Sequence, residues 1–531
     1  MFDATTLRHS AAGRRLARAA VMGSCLFMVV PALAADGDPQ RGRQIYVEGS
    51  SPGDGAINAI VGDEEVVLPG GAVPCASCHG RDGLGRPEGG VLPPDIRWSE
   101  LVKIYGHVHE DGRRHPAFDD ASIARLIRAG IDPGDNRLER TMPLYQISER
   151  DMADLLAYMK QLERDVDPGI ASDRVRVGTL LPLAGPQASL GQAMAAVMRA
   201  HFEEVNGRGG IFGRRVDLLG IPYGETPEQS LDELTEALAS PGIFALVGAY
   251  TVGRDQQVLD LLRADGVPLV GPFTLDPGDS FTDSAAFYLY PGFEEQVRAL
   301  TDHALTGLGV NERVLVVGPE GDRVDRLIRA VEDQLRRSGG AEALAVRYPP
   351  GGFDAAGIAA GSDRAGTLIF LGGQNELDAL LAVLAGAGQM PGIYLLSSFT
   401  PHSLIGAPPE FNERIVIAYP TYSSDVTAQG LADYRGLAER YQLPREHVQA
   451  QISALAAARL LVEGLQRAGR DVSRQRFVEG LEGLYAYQTG LTPPLTYGPN
   501  RRIGARGAHL VTVDLVNKTY VPVGNGWHDI R

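Results

Sequence analysis

Cysteine is nearly missing from this chain. Its 531 residues hold three, Cys25, Cys75 and Cys78, and Cys25 lies in an apolar N-terminal run, so no disulfide framework is available to staple the fold. No second C-x-x-C exists to complete a zinc tetrahedron around Cys75 and Cys78. G-x-G-x-x-G and G-x-x-x-x-G-K-[ST] are both absent, which argues against nucleotide binding, and beyond residue 165 no G-x-S-x-G offers a hydrolase nucleophile. There is no low-complexity tract and no repeat of solenoid length. Positive charge is in deficit: the formal net charge is −16, and it becomes −19 without the four arginines and one aspartate of residues 1–34. A surface of that sign disfavours nucleic acid and anionic membrane and favours docking to a basic protein patch. The apolar run near the N-terminus, residues 19–30, follows Arg14, Arg15 and Arg18 and precedes Ala32-Leu33-Ala34. It is too short to span a bilayer and reads as part of a secretory signal, residues 1–34, cleaved before Ala35.

What is present starts with Cys75-Ala76-Ser77-Cys78-His79. The C-x-x-C-H spacing lets two thiols add to the vinyl groups of one haem while the adjacent imidazole faces the iron. A redox dithiol or half of a zinc site uses the same cysteine spacing, so the residues that follow matter. They include Gly80, Gly83 and Gly85, as expected where backbone passes close to a flat cofactor. The expected cofactor is one covalent haem c on Cys75 and Cys78, with His79 as an iron ligand. For the other axial position, Met142 precedes a helix start at Ser148 and an apolar stripe of Met152, Leu155, Leu156 and Met159. Met142 is the expected sixth ligand, with packing as its alternative role. His107, His109 and His115, in a charged, glycine-flanked stretch that reads as a solvated loop, are rival ligands or holders of a second metal. A secretory signal and a covalent haem together point to a bacterial periplasm.

Residues 37–162 resemble a class I cytochrome c domain, on a short first helix ending at Tyr46, the segment CASCHGRDGLG and the segment RAGIDPGDNRLERTMPLYQISERDMADLLAYMKQL. The resemblance implies an all-α domain, thioether-linked haem with His79 and Met142 as axial ligands, and outer-sphere electron transfer. Such ligation raises the potential and leaves no vacant position for oxygen chemistry. Residues 49–71, between the first helix and the haem motif, depart from the pattern as an insertion without an assigned role. The domain is expected over residues 35–166, with a linker at 167–173 where charged and turn-forming residues take over.

Over residues 174–531 short β-branched runs alternate with amphipathic helices. Residues 175–181, 216–221, 244–248, 268–271, 314–317, 368–371 and 393–396 read as strands, and residues 191–206 as the first helix. This pattern predicts parallel sheets covered on both faces, with ligand at the carboxyl ends of the strands. The segments VRVGTLLPLAGPQASLGQAM, FEEVNGRGGIFGRRVDLL, FALVGAYTVGRDQQVLDLLRADGVPLVGPFT and VLVVGPEGDRVDRLIRAVEDQL resemble the type I periplasmic solute-binding proteins of the branched-chain amino acid transport family. That resemblance implies two α/β lobes joined by three crossings and closing on ligand by hinge motion. One lobe takes residues 173–289 with a later return, the other residues 290–419 plus the C-terminal strands. In amino-acid-binding members, hydroxyls from the loops after the third and fourth strands hold the ligand's carboxylate and ammonium; here those positions align with Val252 and Leu275. The ligand-covering aromatic and the acidic residue of the second lobe align with Leu190 and Ser398. Burying a zwitterion without partners is costly, so the expected solute is a small non-amino-acid molecule, less polar, aromatic or alcoholic. Its expected lining is Ser189, Tyr250, Thr251, Phe273, Thr274, Tyr290, Gln374 and Ser397, with Tyr250 and Phe273 sandwiching it and Thr251, Thr274 and Gln374 orienting it.

These features predict a multidomain chain, an electron-transfer cytochrome without turnover of its own joined to a solute-binding domain. Its expected partners are a small molecule and a redox protein such as a periplasmic dehydrogenase or another cytochrome. Two other readings stand beside it: a ligand sensor whose closure changes haem docking, and an ABC-transporter substrate-binding protein with an accessory haem.

Overall fold

The computed structural model describes residues 37–53, 55–85, 90–109, 112–240, 242–277, 285–306, 313–338, 342–362, 366–400 and 404–530. The expected leader and Cys25 lie outside the described residues. The chain divides into two compact units, Met1–Arg164 and Asp165–Arg531. Among the described residues no helix is long and apolar enough to cross a membrane.

In the N-terminal unit, α1 (Pro39–Glu48), α2 (Cys75–His79), α3 (Trp98–Leu101), α4 (Asp120–Ala129) and α5 (Glu149–Met159) share one apolar core. Asp38 starts α1 by accepting the backbone N–H groups of Gln40 and Arg41, and Gly49, at φ 67°, ends it. The helix packs closely on α5. A Cβ on Gly42 would lie 1.9 Å from the Asp154 carbonyl oxygen, so glycine is what lets the two backbones approach. The Ser148 hydroxyl caps α5 by accepting from Asp151 N, and Met152, Leu155, Leu156 and Met159 are buried along its inner face.

This unit has strands as well as the expected helices. The insertion forms β1 (Asn58–Val61) and β2 (Val66–Pro69), β-branched runs on either side of a turn that contains Gly62. A second hairpin joins β3 (His107–Val108) to β4 (Arg114–His115), where the sequence suggested a loop. The strand β5 (Leu144–Gln146) adds to the insertion, giving the antiparallel order β2-β1-β5.

The C-terminal unit contains two sheets. Its first part runs β6 (Arg174–Leu181), α6 (Ala188–Gly207), β7 (Arg215–Pro222), α7 (Pro227–Ala239), β8 (Leu246–Val247), α8 (Asp255–Ala264), β9 (Leu269–Val270) and β10 (Ala286–Phe287). These strands form one parallel sheet of order β10-β9-β8-β6-β7. The chain then runs through α9 (Phe293–Leu305), β11 (Val314–Pro319), α10 (Asp322–Arg337), β12 (Ala343–Tyr348), α11 (Ala355–Ser362), β13 (Thr367–Phe370), α12 (Gln374–Gly386), β14 (Gly392–Leu396) and β15 (Ile415–Tyr419). With the C-terminal β16 (Gly507–Asp514) and β17 (Thr519–Asp529) these make the second sheet, β12-β11-β13-β14-β15-β16-β17, antiparallel only at its last two pairings. Between β15 and β16 the chain returns to the first lobe as α13 (Ala428–Arg440), α14 (Val448–Ala468) and α15 (Arg474–Glu482), which pack with α6 on one face of the first sheet.

Both sheets are covered on both faces, which explains why most of their parallel strands are apolar throughout rather than alternating. The chain crosses between lobes three times, and the first and third crossings pair: Tyr288 N donates to Arg502 O and Gly504 N to Tyr288 O, each at 2.9 Å. Residues 167–173, expected as a linker, are folded into this unit. Asp167 accepts from Arg474 N, and Arg176 N donates to Gly169 O at 2.7 Å.

Gly42→Ala should destabilise the N-terminal unit by about 3 kcal/mol, at the upper end of what overpacking costs. Calorimetry of the full chain should show the transition of that unit shifted down and that of the C-terminal unit unmoved. An unshifted profile would mean that α1 and α5 part without cost.

Candidate functional site

Five residues give α2 too few internal hydrogen bonds to persist alone, and it is held from outside at both ends. The Tyr145 hydroxyl donates to Val73 O at 2.6 Å just before the helix, and the Tyr46 hydroxyl of α1 donates to Gly80 O at 2.8 Å just after it. Helical spacing makes Cys75 and Cys78 neighbours on one face, and both are free thiols. Burial pushes the Cys75 thiol up to about 12. His79 is buried, with Nδ1 3.2 Å from the Pro94 carbonyl. A carbonyl only accepts, so Nδ1 carries the proton and Nε2 keeps its lone pair. Burial also pulls this imidazole below its usual pKa, favouring the neutral form that ligates metals.

The glycines after the motif serve this same histidine. A Cβ on Gly85 would lie 2.0 Å from Pro93 O, and Ile96 N donates to Gly83 O at 2.8 Å. Glycine therefore lets residues 93–96 close on the motif and delivers the Pro94 carbonyl to His79, a local role beside the one expected from the sequence.

Met142 is half-buried, two residues before β5, and packs against the same apolar cluster as Cys75 and Ala76. It also lines a small crevice with Leu126, Ala129, Gly130, Leu138 and Leu144. The three histidines gather on the β3–β4 hairpin, and each has a ring nitrogen engaged: His107 Nε2 lies 2.8 Å from Glu100 O, His115 Nδ1 2.8 Å from Pro116 O, and His109 Nε2 3.0 Å from His115 Nε2. Among the described residues no group of three histidine, cysteine or carboxylate side chains is placed to hold a metal ion. Two free thiols on one helix face, an imidazole of fixed tautomer and a thioether on the same core form a donor set that fits a covalent haem.

In the C-terminal unit, the loops that end the first sheet's strands carry Tyr250, Thr251, Phe273 and Thr274. The rings of Tyr250 and Phe273 stack directly, centroids 6.0 Å apart at 18°. An inserted ligand needs a gap of about 7 Å, two carbon contacts of about 3.5 Å each, so these rings form one wall and not the two sides of a sandwich. Tyr223 stands edge-on to Tyr250 at 5.1 Å, and Arg254 caps Tyr223 at 3.8 Å. The Thr251 hydroxyl donates to the Asp255 carboxylate at 2.6 Å, the Thr274 hydroxyl accepts from Asp276 N at 3.0 Å, and burial raises the pKa of Asp255. Ser189 is exposed, with its hydroxyl 2.9 Å from His447 Nε2, and the Tyr290 hydroxyl accepts from Ser453 at 3.3 Å. On the second lobe, Gln374 opens α12, its amide donating to Asp378 and its buried Oε1 without a hydrogen-bond partner, and Ser397 follows β14. Asp276, beyond β9, pairs with Arg323 at 2.9 Å and Arg326 at 2.6 Å on α10, tying the lobes at their rim.

The periplasmic binding protein family model matches residues 174–519. The chain belongs to the periplasmic binding protein family. The cytochrome c family model matches residues 72–163, so the binding protein is fused to a cytochrome c domain. Leu/Ile/Val-binding protein homolog 3 of Brucella melitensis is 24% identical over 210 residues, 39% of this chain and 56% of that protein. Leu/Ile/Val-binding protein BraC3 of Rhizobium johnstonii is 26% identical over 216 residues, 40% of this chain and 58% of that protein. The chain thus spans a little over half the length of these curated relatives. Among solved structures, a Rhodospirillum rubrum protein assigned to branched-chain amino acid ABC transport has a TM-score of 0.54 at 18% identity, covering 66% of this chain and 100% of its own. A fatty acid ABC transporter substrate-binding protein from Thermomonospora curvata has a TM-score of 0.50 at 16% identity, covering 69% and 95%. These likenesses establish the two-lobed fold.

Two residues of the binding protein escape sequence reasoning. Asp255 stands one helical turn beyond Thr251, a spacing visible in the sequence, and accepts from Thr251 and Gly253 N, but its burial is not visible there. Glu295, in the first turn of α9 beside the first crossing, is 4% exposed, has Oε2 without a hydrogen-bond partner, and is pushed by burial up to about 7. Because its folded pKa is raised, the ionised carboxylate weakens the native state as pH rises from the ordinary value of 4.5 through about 7, and the penalty is absent below that window. Glu295→Gln should therefore stabilise the binding protein by about 2 kcal/mol at pH 8 and change it little near pH 4. Urea unfolding at both pH values checks this, and equal shifts would show that Glu295 stays protonated or stays charged throughout.

Proposed function

We propose that this chain is a periplasmic electron-transfer protein carrying one haem c on Cys75 and Cys78, with His79 and Met142 as axial ligands. Between its lobes it holds a small solute that is not an amino acid, serving a periplasmic dehydrogenase whose substrate or product that solute is. The leader at residues 1–34 takes it to the periplasm. The Pro94 carbonyl on His79 Nδ1 carries the haem reading, because it supports an Nε2 lone pair beside two thiols on one helix face. Bound there, a haem would supply one-electron transfer, with His79 and Met142 as the residues that would hold its iron. The protein contributes a rigid mount: Tyr46 and Tyr145 fix the motif, and the core behind Cys75 and Met142 excludes water.

Asp255 supports the choice of solute. The Thr251 hydroxyl, next to a position that grips an amino acid in the resembled family, already donates to a carboxylate of the protein. An incoming carboxylate would meet like charge and no free donor from Thr251. The aromatic wall of Tyr250 and Phe273 and the free acceptor of Gln374 suit a neutral aromatic or alcoholic molecule instead.

Protein made with haem-maturation machinery should gain the mass of one haem, and Cys75→Ala with Cys78→Ala should abolish the gain. A folded, haem-free wild type would overturn the assignment. Met142→Ala should remove the weak long-wavelength charge-transfer band of a ferric thioether-ligated haem and lower the potential. An unchanged spectrum would pass the role to His107, His109 or His115. In calorimetric titrations of the full chain, leucine and valine should bind no tighter than about 1 mM, whereas a matching aromatic or alcoholic solute at one hundred times its Kd should stabilise the binding protein by about 2.7 kcal/mol. Micromolar leucine binding would refute the pocket.

A further inference from the structure

We propose that the insertion is a clamp for Met142, holding the thioether-bearing segment on both of its sides; this rests on Met142 as an axial ligand. After Met142, the strand β5 pairs with the central strand of the insertion, Leu144 with Ile60, Tyr145 with Ala59 and Gln146 with Asn58. Before Met142, Arg140 pairs with Glu65 of the hairpin turn at 3.2 Å. The methionine is thus the middle of a five-residue stretch whose two ends are fastened to one hairpin.

The hairpin itself is anchored. Ile57 and Ala59 are buried, Ile57 in the core that also contains Tyr46 and Met152. Its base is pinched shut, since Gly70 N donates to Ile57 O at 2.8 Å and a Cβ on Gly49 would lie 2.2 Å from Gly70 O. Tyr145 completes the link: its backbone lies in the ladder with Ala59 while its hydroxyl reaches Val73, two residues before Cys75. One strand therefore couples the insertion, the Met142 segment and the haem motif. Without β1, the segment from Arg140 to Leu144 would keep fewer tertiary ties, and a thioether on a loosened segment leaves its position more often.

Hairpin residues act here as positioning residues, so the test reads how easily Met142 is displaced. The probe is free imidazole added to the ferric, full-length holoprotein, which occupies the axial position when the thioether swings away and abolishes the charge-transfer band. Ile60→Pro, which removes a donor from the central strand, should raise both the rate and the affinity of imidazole uptake about tenfold, the scale of losing one or two ladder hydrogen bonds. Glu65→Ala should raise them about twofold, as befits an exposed ion pair. Asp120→Asn, which breaks the surface pair of Asp120 with Lys160 elsewhere in the unit, should change neither. If Ile60→Pro does not fold, Glu65→Ala decides. Wild-type uptake in the hairpin variants, with the band still lost in Met142→Ala, overturns the clamp alone. A band that survives Met142→Ala overturns the axial assignment on which the clamp rests.

Discussion

The Pro94 carbonyl on His79 is the contact on which the chemistry of the cytochrome domain depends. An imidazole in water exchanges its proton between two nitrogens and turns freely, and neither freedom suits a metal ligand. Here the proton is fixed at Nδ1 by a carbonyl that arrives because Gly85 admits Pro93 and Pro94 at backbone contact. The helix bearing the histidine is fixed in turn by Tyr46, one turn along α1 from Gly42, where that helix meets α5 at backbone contact. The placement of His79 therefore traces back, contact by contact, to the absence of a side chain at a helix crossing.

The binding protein solves a different problem. Strand ends of a parallel sheet present backbone and side-chain donors toward the cleft, and an open cleft needs those donors satisfied with or without solute. Asp255 satisfies Thr251 internally, at the cost of a desolvated carboxylate whose pKa rises.

Local patterns were the legible part of this structure. The capping serine at Ser148, the buried stripe of α5, the haem motif and the apolar strands such as β6, β11 and β14 all follow from residues close in sequence. What was hidden depends on distant pairing. The pairing of Asn58 with Gln146 joins an insertion to a segment near the end of the domain, and no periodicity announces it. β17, among the expected C-terminal strands, contains Pro522, Gly524 and Gly526, which are tolerated there because it is an edge strand. Strand-end positions identify Tyr250 and Phe273 as neighbours of a cleft, but not that their rings close on each other.

The rim contact between Asp276 and the two arginines of α10 has a consequence outside the molecule. Asp276 is largely covered, while Arg323 and Arg326 are 52% and 25% exposed, so water and ions reach the pair. Charges in such positions lose much of their attraction as the Debye length contracts, from about 30 Å at 0.01 M salt to about 3 Å at 1 M. The lobes are thus fastened more firmly at low salt than at high, and the ionic strength around the protein helps to set how long the cleft stays open.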